Sequence, residues 1–94
     1  MGADDTLFPL GQVVATPGAL IALVRTHQEI KELLARHQHG DWGAVNSADS
    51  GGNDVAVRDG SRILSVYRLP DTTTLWIMTE ADRSSTCLLL PEEY

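Results

Sequence analysis

RILSVYRLPDTTTLWIMTEADRSSTCLLLPEEY, residues Arg62–Tyr94, decides the fold of this chain. Arg62–Leu69 and Thr74–Met78 are rich in Ile, Leu, Val, Tyr and Trp, the branched and aromatic residues that fit a pleated, half-buried surface, and both runs read as strands. Between them lie Pro70, Asp71 and three threonines. The proline fixes φ at the start of a turn, and the Asp and Thr side chains bond back to their own backbone, so the two runs form a hairpin. Ala81–Ser85 is a second connection, into Cys87, Leu88, Leu89 and Leu90. Pro91 ends that run because it lacks the N–H a ladder needs. The block predicts a three-stranded antiparallel meander.

Side chains alternate along a strand, so placing Leu69 opposite Thr74 across the hairpin sorts the two faces. Ile63, Tyr67, Trp76, Met78, Leu88 and Leu90 fall on one, and Leu64, Val66, Leu75, Ile77, Cys87 and Leu89 on the other. Both are apolar, whereas an antiparallel sheet with one wet side carries polar residues there. Upstream helices cover one face, and the other needs a further segment, a second copy or a partner.

The 94 residues suit a single domain with one core, spanning 7–94. With 13 acidic against 7 basic side chains the formal net charge is −6, which repels phosphate backbones and argues against a general nucleic-acid binder. Cys87 is the only cysteine, so no intramolecular disulfide forms. Residues 1–6 carry two aspartates and read as a disordered end. Neither a secretory signal nor a run of about 20 apolar residues is present, so the expected location is the cytoplasm, away from membranes.

Phe8–Ala15 reads as a short strand joining the meander at an edge. Thr16 and Pro17 supply an N-cap hydroxyl and a proline at the first helical position. The helix they open is apolar nearly all round over Ala19–Val24, as in a helix buried on several sides. Thr26 with Glu29 fits a capping box for a second helix, in which Ile30, Leu33, Leu34 and His37 form one stripe and Gly40 the stop. Ser47 is placed to cap a third helix through Asp49, but Gly51 and Gly52 cost up to about 1 kcal/mol each in a helix interior. The expected element there is a short helix or turn over Asn53–Arg58.

The turn Glu80–Thr86 concentrates polar groups directly after a buried strand. Glu80, Asp82, Arg83, Ser84 and Thr86 either contact a partner or close the turn on themselves. Arg83 is also a candidate for binding phosphate. Trp42, between Asp41 and Gly43, either plugs the gap between helix and sheet or joins that partner surface. His37, His39 and Asp41 are metal-ligand types at poor spacing, since residues two apart on a helix point to different sides. No nucleophile elbow, phosphate loop, dinucleotide fingerprint or paired-cysteine signature occurs, and no cofactor is implied.

The motifs LGQVVATPGAL (Leu10–Leu20), HQHGDWG (His37–Gly43), Asn53 with Asp54, and SVYRLPDTTTLWIMTEADRSSTCLLLPEEY (Ser65–Tyr94) together resemble a family of small proteins encoded on bacterial plasmids and other mobile elements. The resemblance implies a cytosolic accessory protein of mobile DNA and carries no catalytic residue over.

The chain is therefore expected to be α+β: an N-terminal strand and two to three short helices packed on a C-terminal three- to four-stranded antiparallel sheet. The expected function is non-enzymatic, acting by binding another protein, such as a host-defence or plasmid-maintenance factor, with a homodimer through the sheet as one form of cover. A small ribonuclease of the RelE or barnase-like class, using Arg83 with His37 or His39, and a metal-binding protein are the alternatives.

Overall fold

The computed structural model describes residues 6–94, so the disordered end expected over residues 1–6 lies, apart from Thr6, outside the described residues. Along the chain come β1 (Gln12–Ala15), α1 (Pro17–Arg25), α2 (Ile30–Gln38), α3 (Ser47–Asp59), β2 (Ile63–Arg68), β3 (Thr74–Thr79), β4 (Ser85–Leu89) and a closing 3₁₀ turn (Pro91–Glu93). The strands form one sheet in the order β1-β4-β3-β2.

The class is α+β, and β2, β3 and β4 form the antiparallel meander. β1, however, pairs in parallel with β4, so the sheet is mixed rather than antiparallel throughout. The cause lies in the connection: a chain that leaves a strand through helices and returns to the same sheet comes back running the same way. β1 and β2 are those two strands, at opposite edges. β1 is also shorter than the apolar run beginning at Phe8, because Gly11 takes φ +65° and Phe8 is buried in the core.

The hairpin differs from the expected register by one residue. Arg68 pairs with Thr74, and the Leu69 N–H bonds the Thr73 carbonyl at 2.8 Å. A one-residue slip turns a strand over. Leu75 and Ile77 therefore join Ile63, Tyr67 and Leu88 on the inner face, while Trp76 and Met78 move to the outer face with Leu64, Val66, Cys87 and Leu89.

α1 and α2 sit on the inner face, and α3 packs along the β2 edge. Ala19, Ala22 and Leu23 of α1 and Leu33 of α2 pack on Tyr67, Leu75, Ile77 and Leu88. Phe8, Trp42, Ala56 of α3 and Ile63 form a second cluster. Each large apolar side chain so buried contributes about 1.5–3 kcal/mol. Thr16 caps α1 as expected, its hydroxyl oxygen accepting from the Ala19 N–H at 3.2 Å. Glu93, from the C-terminal turn, accepts from the Thr16 hydroxyl and from the Gly18 N–H at 3.0 Å, placing a carboxylate at the positive end of α1. That Thr16 bond, first among the causes, holds the Glu93 carboxyl below its ordinary range.

Burial of α1 on several sides does not occur. Leu20, Ile21 and Val24 point outward, Ile21 62% and Val24 74% exposed, since a single helical layer over a sheet leaves every helix an outer side. The capping box at Thr26 is also absent: that hydroxyl donates back to the Ala22 carbonyl at 2.8 Å as the end of α1, and α2 starts after Glu29 with no side-chain cap. The third helix is longer than Asn53–Arg58. Asn46, rather than Ser47, caps it by accepting from the Asp49 N–H at 2.7 Å, and Gly60 ends it in the left-handed conformation.

Candidate functional site

Three parts of the molecule bear on function: the buried polar chain under α2, the turn after β3 and the outer face of the sheet. The first begins at His37, which has no exposed surface and sits edge-on to Phe8 and Trp42 with ring centroids 5.1 and 5.9 Å away. Its ring nitrogens meet Ser65 Oγ (Nδ1, 2.6 Å) and Thr79 Oγ1 (Nε2, 2.9 Å). Thr79 Oγ1 lies 2.7 Å from Thr86 Oγ1, and the Thr86 hydroxyl donates to the Leu10 carbonyl at 2.8 Å. A carbonyl only accepts, so the proton order of the whole chain follows. With the Thr86 hydrogen committed to Leu10, Thr79 donates to Thr86 and His37 donates from Nε2 to Thr79. The relay therefore fixes the proton on Nε2, and in the neutral ring Ser65 donates to Nδ1. Burial, and then the positive charge of Arg83, lower the His37 pKa to about 4. A serine on a histidine nitrogen is the beginning of a nucleophilic pair. Here both groups lie in the interior, and a threonine rather than a carboxylate holds the second nitrogen.

His37 is thus separated from its sequence neighbours. His39 Nδ1 lies 2.6 Å from the Ala35 carbonyl oxygen, and Asp41 takes Arg36 through both carboxylate oxygens at 2.7 and 3.2 Å. Among the described residues no group of three or more metal-ligand side chains converges, so the structure does not bring His37, His39 and Asp41 to one ion. Trp42 is buried, and its indole N–H donates to Asp54 Oδ1 at 3.0 Å. It fills the gap between helix and sheet and offers no surface to a partner.

In the Glu80–Thr86 turn, Arg83 takes φ +60° and turns its guanidinium back into the molecule. Nη2 donates to the Ala56 carbonyl at 2.8 Å, and Nη1 to the carbonyls of Ser61, Glu80 and Ala81 at 2.7, 3.1 and 3.3 Å. The cation also lies over the Phe8 ring, 5.5 Å from its centroid. A cation on the last carbonyls of a helix is a C-cap, and Arg83 does this for α3 from a distant turn. The phosphate role assigned to Arg83 needs those N–H groups free. Asp82 accepts from the Ser84 N–H at 3.0 Å, which closes the turn, and the Ser84 side chain first, then this backbone bond, lower the Asp82 pKa. Thr86 is fully buried in the polar chain. Of the residues named from sequence, Asp82 and Ser84 are exposed, Glu80 and Arg83 are half-buried, and Trp42 and Thr86 are interior.

The outer face of the sheet is different. α1 and α2 pack on the opposite side, Leu64 and Val66 line a cavity with Gly52 and Asn53 of α3, and the strand register aligns the side chains in apolar rows. Leu64, Met78, Cys87 and Val14 pair successively across all the strands, and Val66, Trp76 and Leu89 form a second row. Tyr94 meets Trp76 with ring centroids 5.8 Å apart, and Arg62 donates to the Tyr94 hydroxyl at 3.1 Å while lying 3.6 Å from Glu80. Charge is confined to this rim. The rows themselves are uncharged, and Cys87 stands in the middle of one, its thiol pKa raised by burial and by the nearby Glu93 and Glu80. The sequence already groups Leu64, Val66, Cys87 and Leu89 on one apolar face, but the expected register puts Trp76 and Met78 on the other with Ile63 and Tyr67.

Comparison of the chain with protein families, with curated proteins and with solved structures gives no match, so function is argued from geometry. No helix among the described residues is long and apolar enough to cross a membrane.

Proposed function

We propose that this chain is a binding protein without turnover of its own, which docks another protein on the outer face of its sheet. The observation that carries this reading is the pair of uncharged rows crossing the sheet face opposite α1 and α2, in which Leu64, Val66, Trp76 and Cys87 are half-buried and Val14 is exposed, while Met78 and Leu89 are buried. Contiguous apolar surface of this kind, rimmed by polar groups, is what protein interaction sites present. The aromatic residues Trp76 and Tyr94 and the cation of Arg62 are the types that dominate interface energies. The resemblance to small plasmid-encoded proteins supplies the setting, an accessory factor of mobile DNA whose target is a host-defence or maintenance protein. The net charge of −6 suits a basic target surface that otherwise meets nucleic acid.

Cys87 is the sole cysteine and lies half-exposed in the first row, so it tests the reading directly. The protein, used as bait in a bacterial lysate before and after modification of Cys87 with a bulky maleimide at alkaline pH, is expected to retain one stoichiometric partner only when unmodified. The same adduct on Val24→Cys in a Cys87→Ser background, on the outer side of α1, should leave retention intact. Retention that survives the Cys87 adduct and fails with the α1 adduct would move the interface to the helical side.

A further inference from the structure

The two edges of the sheet are treated differently, and the difference assigns a partner to one of them. At β2 the outward backbone groups are satisfied. The Asn53 side chain receives the Leu64 N–H at 3.2 Å and donates to the Leu64 carbonyl at 2.8 Å. The Val66 N–H bonds the Trp42 carbonyl at 3.0 Å, and the Ala44 N–H the Val66 carbonyl at 2.6 Å. Gly43 makes this approach possible: at φ +77°, a Cβ there would lie 2.0 Å from the Val66 oxygen.

β1 has no such cover. Gln12 and Thr16 donate to the Ser84 and Leu88 carbonyls of the β4 side at 3.0 Å each, which turns the backbone groups of Val13 and Ala15 outward, where no hydrogen bond reaches them among the described residues. The side chains of Val13 and Val14 are 42% and 43% exposed. Natural sheets guard an open edge by keeping it short, as β1 with its four residues is, or with lysine, proline, an inward charge or a bulge in the strand. Beyond its shortness, the sequence Gln12-Val13-Val14-Ala15 contains none of these.

We infer that β1 pairs antiparallel with β1 of a second copy of this chain, on a two-fold axis through Val14. The outward groups select this register. Val13 and Ala15 are the residues able to exchange both hydrogen bonds across the edge, so Val13 opposes Ala15 of the second copy, and Ala15 its Val13, giving four backbone bonds from four residues. Val14 then faces its own counterpart at a narrow, non-hydrogen-bonded position. Val14 is also the last member of the row Leu64–Met78–Cys87–Val14, so the axis joins the rows of both copies into one apolar stripe across eight strands. A second copy satisfies every outward group and continues the row, whereas an unrelated extended peptide has only the strand edge to recognise, with no side-chain pocket beside it. The pairing stands independently of the docking assigned to the outer face.

Light-scattering mass across a concentration series tests it. Twice the chain mass of 10.2 kDa is expected at high concentration. Val13→Pro removes an outward N–H while leaving the internal ladder, which uses Gln12, Val14 and Thr16, and should weaken the dimer at least tenfold with an unchanged circular dichroism spectrum. Val66→Lys, on the outer face three strands away, should leave the dimer unchanged. Val14→Cys in a Cys87→Ser background should oxidise to a covalent dimer, because non-hydrogen-bonded antiparallel partners lie within disulfide reach. The Cys87 change is needed since Val14 already neighbours Cys87 within one chain. A monomer at all concentrations overturns the inference. So does a dimer that survives Val13→Pro and is lost in Val66→Lys, which assigns self-association to the outer face.

Discussion

His37 is where a single side chain most strongly links this protein's stability to solution conditions. Its pKa of about 4 lies below the ordinary 6.5, so below pH 6.5 the unfolded chain binds a proton that the folded chain refuses. By linkage, stability is full above about pH 6.5, falls as the pH drops towards 4, and levels off below that. Between the two limits the loss is about 3 kcal/mol, a large share of a small domain's stability. Denaturant titrations at pH 7.5, 5.5 and 4.5 should show it, and the ¹⁵N shifts of the His37 ring should report the neutral Nε2–H form at pH 7.5 and 5.5. A protonated His37 ring at pH 5.5 would contradict the lowered pKa, and a neutral ring with its proton on Nδ1 would contradict the hydroxyl order traced to Leu10. Arg83 gives a second expectation at this scale. Its guanidinium serves the carbonyls of Ala56, Ser61, Glu80 and Ala81. Arg83→Ala should therefore destabilise by about 1–3 kcal/mol, since bonds to a charged group are the stronger ones. If Arg83 acted instead on an outside anion, its removal would leave the denaturation midpoint where it is.

At the level of elements, α3 holds despite its sequence, and that gives a clean measurement. Gly51 and Gly52 lie in its interior, and a Cβ added to either meets nothing within 4 Å. Gly51→Ala with Gly52→Ala should stabilise by about 1–2 kcal/mol through the unfolded chain, raising Tm by roughly 5–10 °C in a calorimetric scan. A fall in Tm would show that the glycines serve something beyond the helix. α3 also marks the limit of what periodicity reveals. The stripe of α2, the Thr16-Pro17 start of α1 and the meander were legible because local pattern and fold agree there. α3 was not, because its anchors are tertiary: the Asn53 amide on the Leu64 backbone, Ala56 in the second core and Arg83 on its last carbonyls. The hairpin register failed for a similar reason. Turn composition around Pro70 and Asp71 fixes where the chain reverses, but Thr72 takes φ 73° and the Leu69–Thr73 bond closes the loop one residue early. That single step moved Trp76 and Met78 onto the face of Leu64, Val66, Cys87 and Leu89, and Leu75 and Ile77 onto the other. The turn Glu80–Thr86, prominent in sequence for its polarity, proved to be polar largely for internal reasons, since Arg83 and Thr86 face inward.

For the molecule as a whole, net charge opposes the edge pairing, and the opposition can be measured. Two bodies of charge −6 with centres about 30 Å apart repel by about 5 kcal/mol in unscreened water. At 10 mM salt, with a screening length near 30 Å, about a third of this survives, and at 150 mM, with a length near 8 Å, almost none does. The β1 edge itself is uncharged, so no attraction between the copies is lost as salt rises. Sedimentation equilibrium at pH 7.5 should therefore show the dimer tightening by about tenfold to twentyfold between 10 and 150 mM salt, then changing little. The direction is diagnostic. A dimer held by ion pairs across the interface, for instance through Arg62 and Glu80 at the rim of the outer face, loosens over the same range. Backbone pairing along Val13 and Ala15 has no charge to screen, so only the repulsion between the two acidic bodies responds.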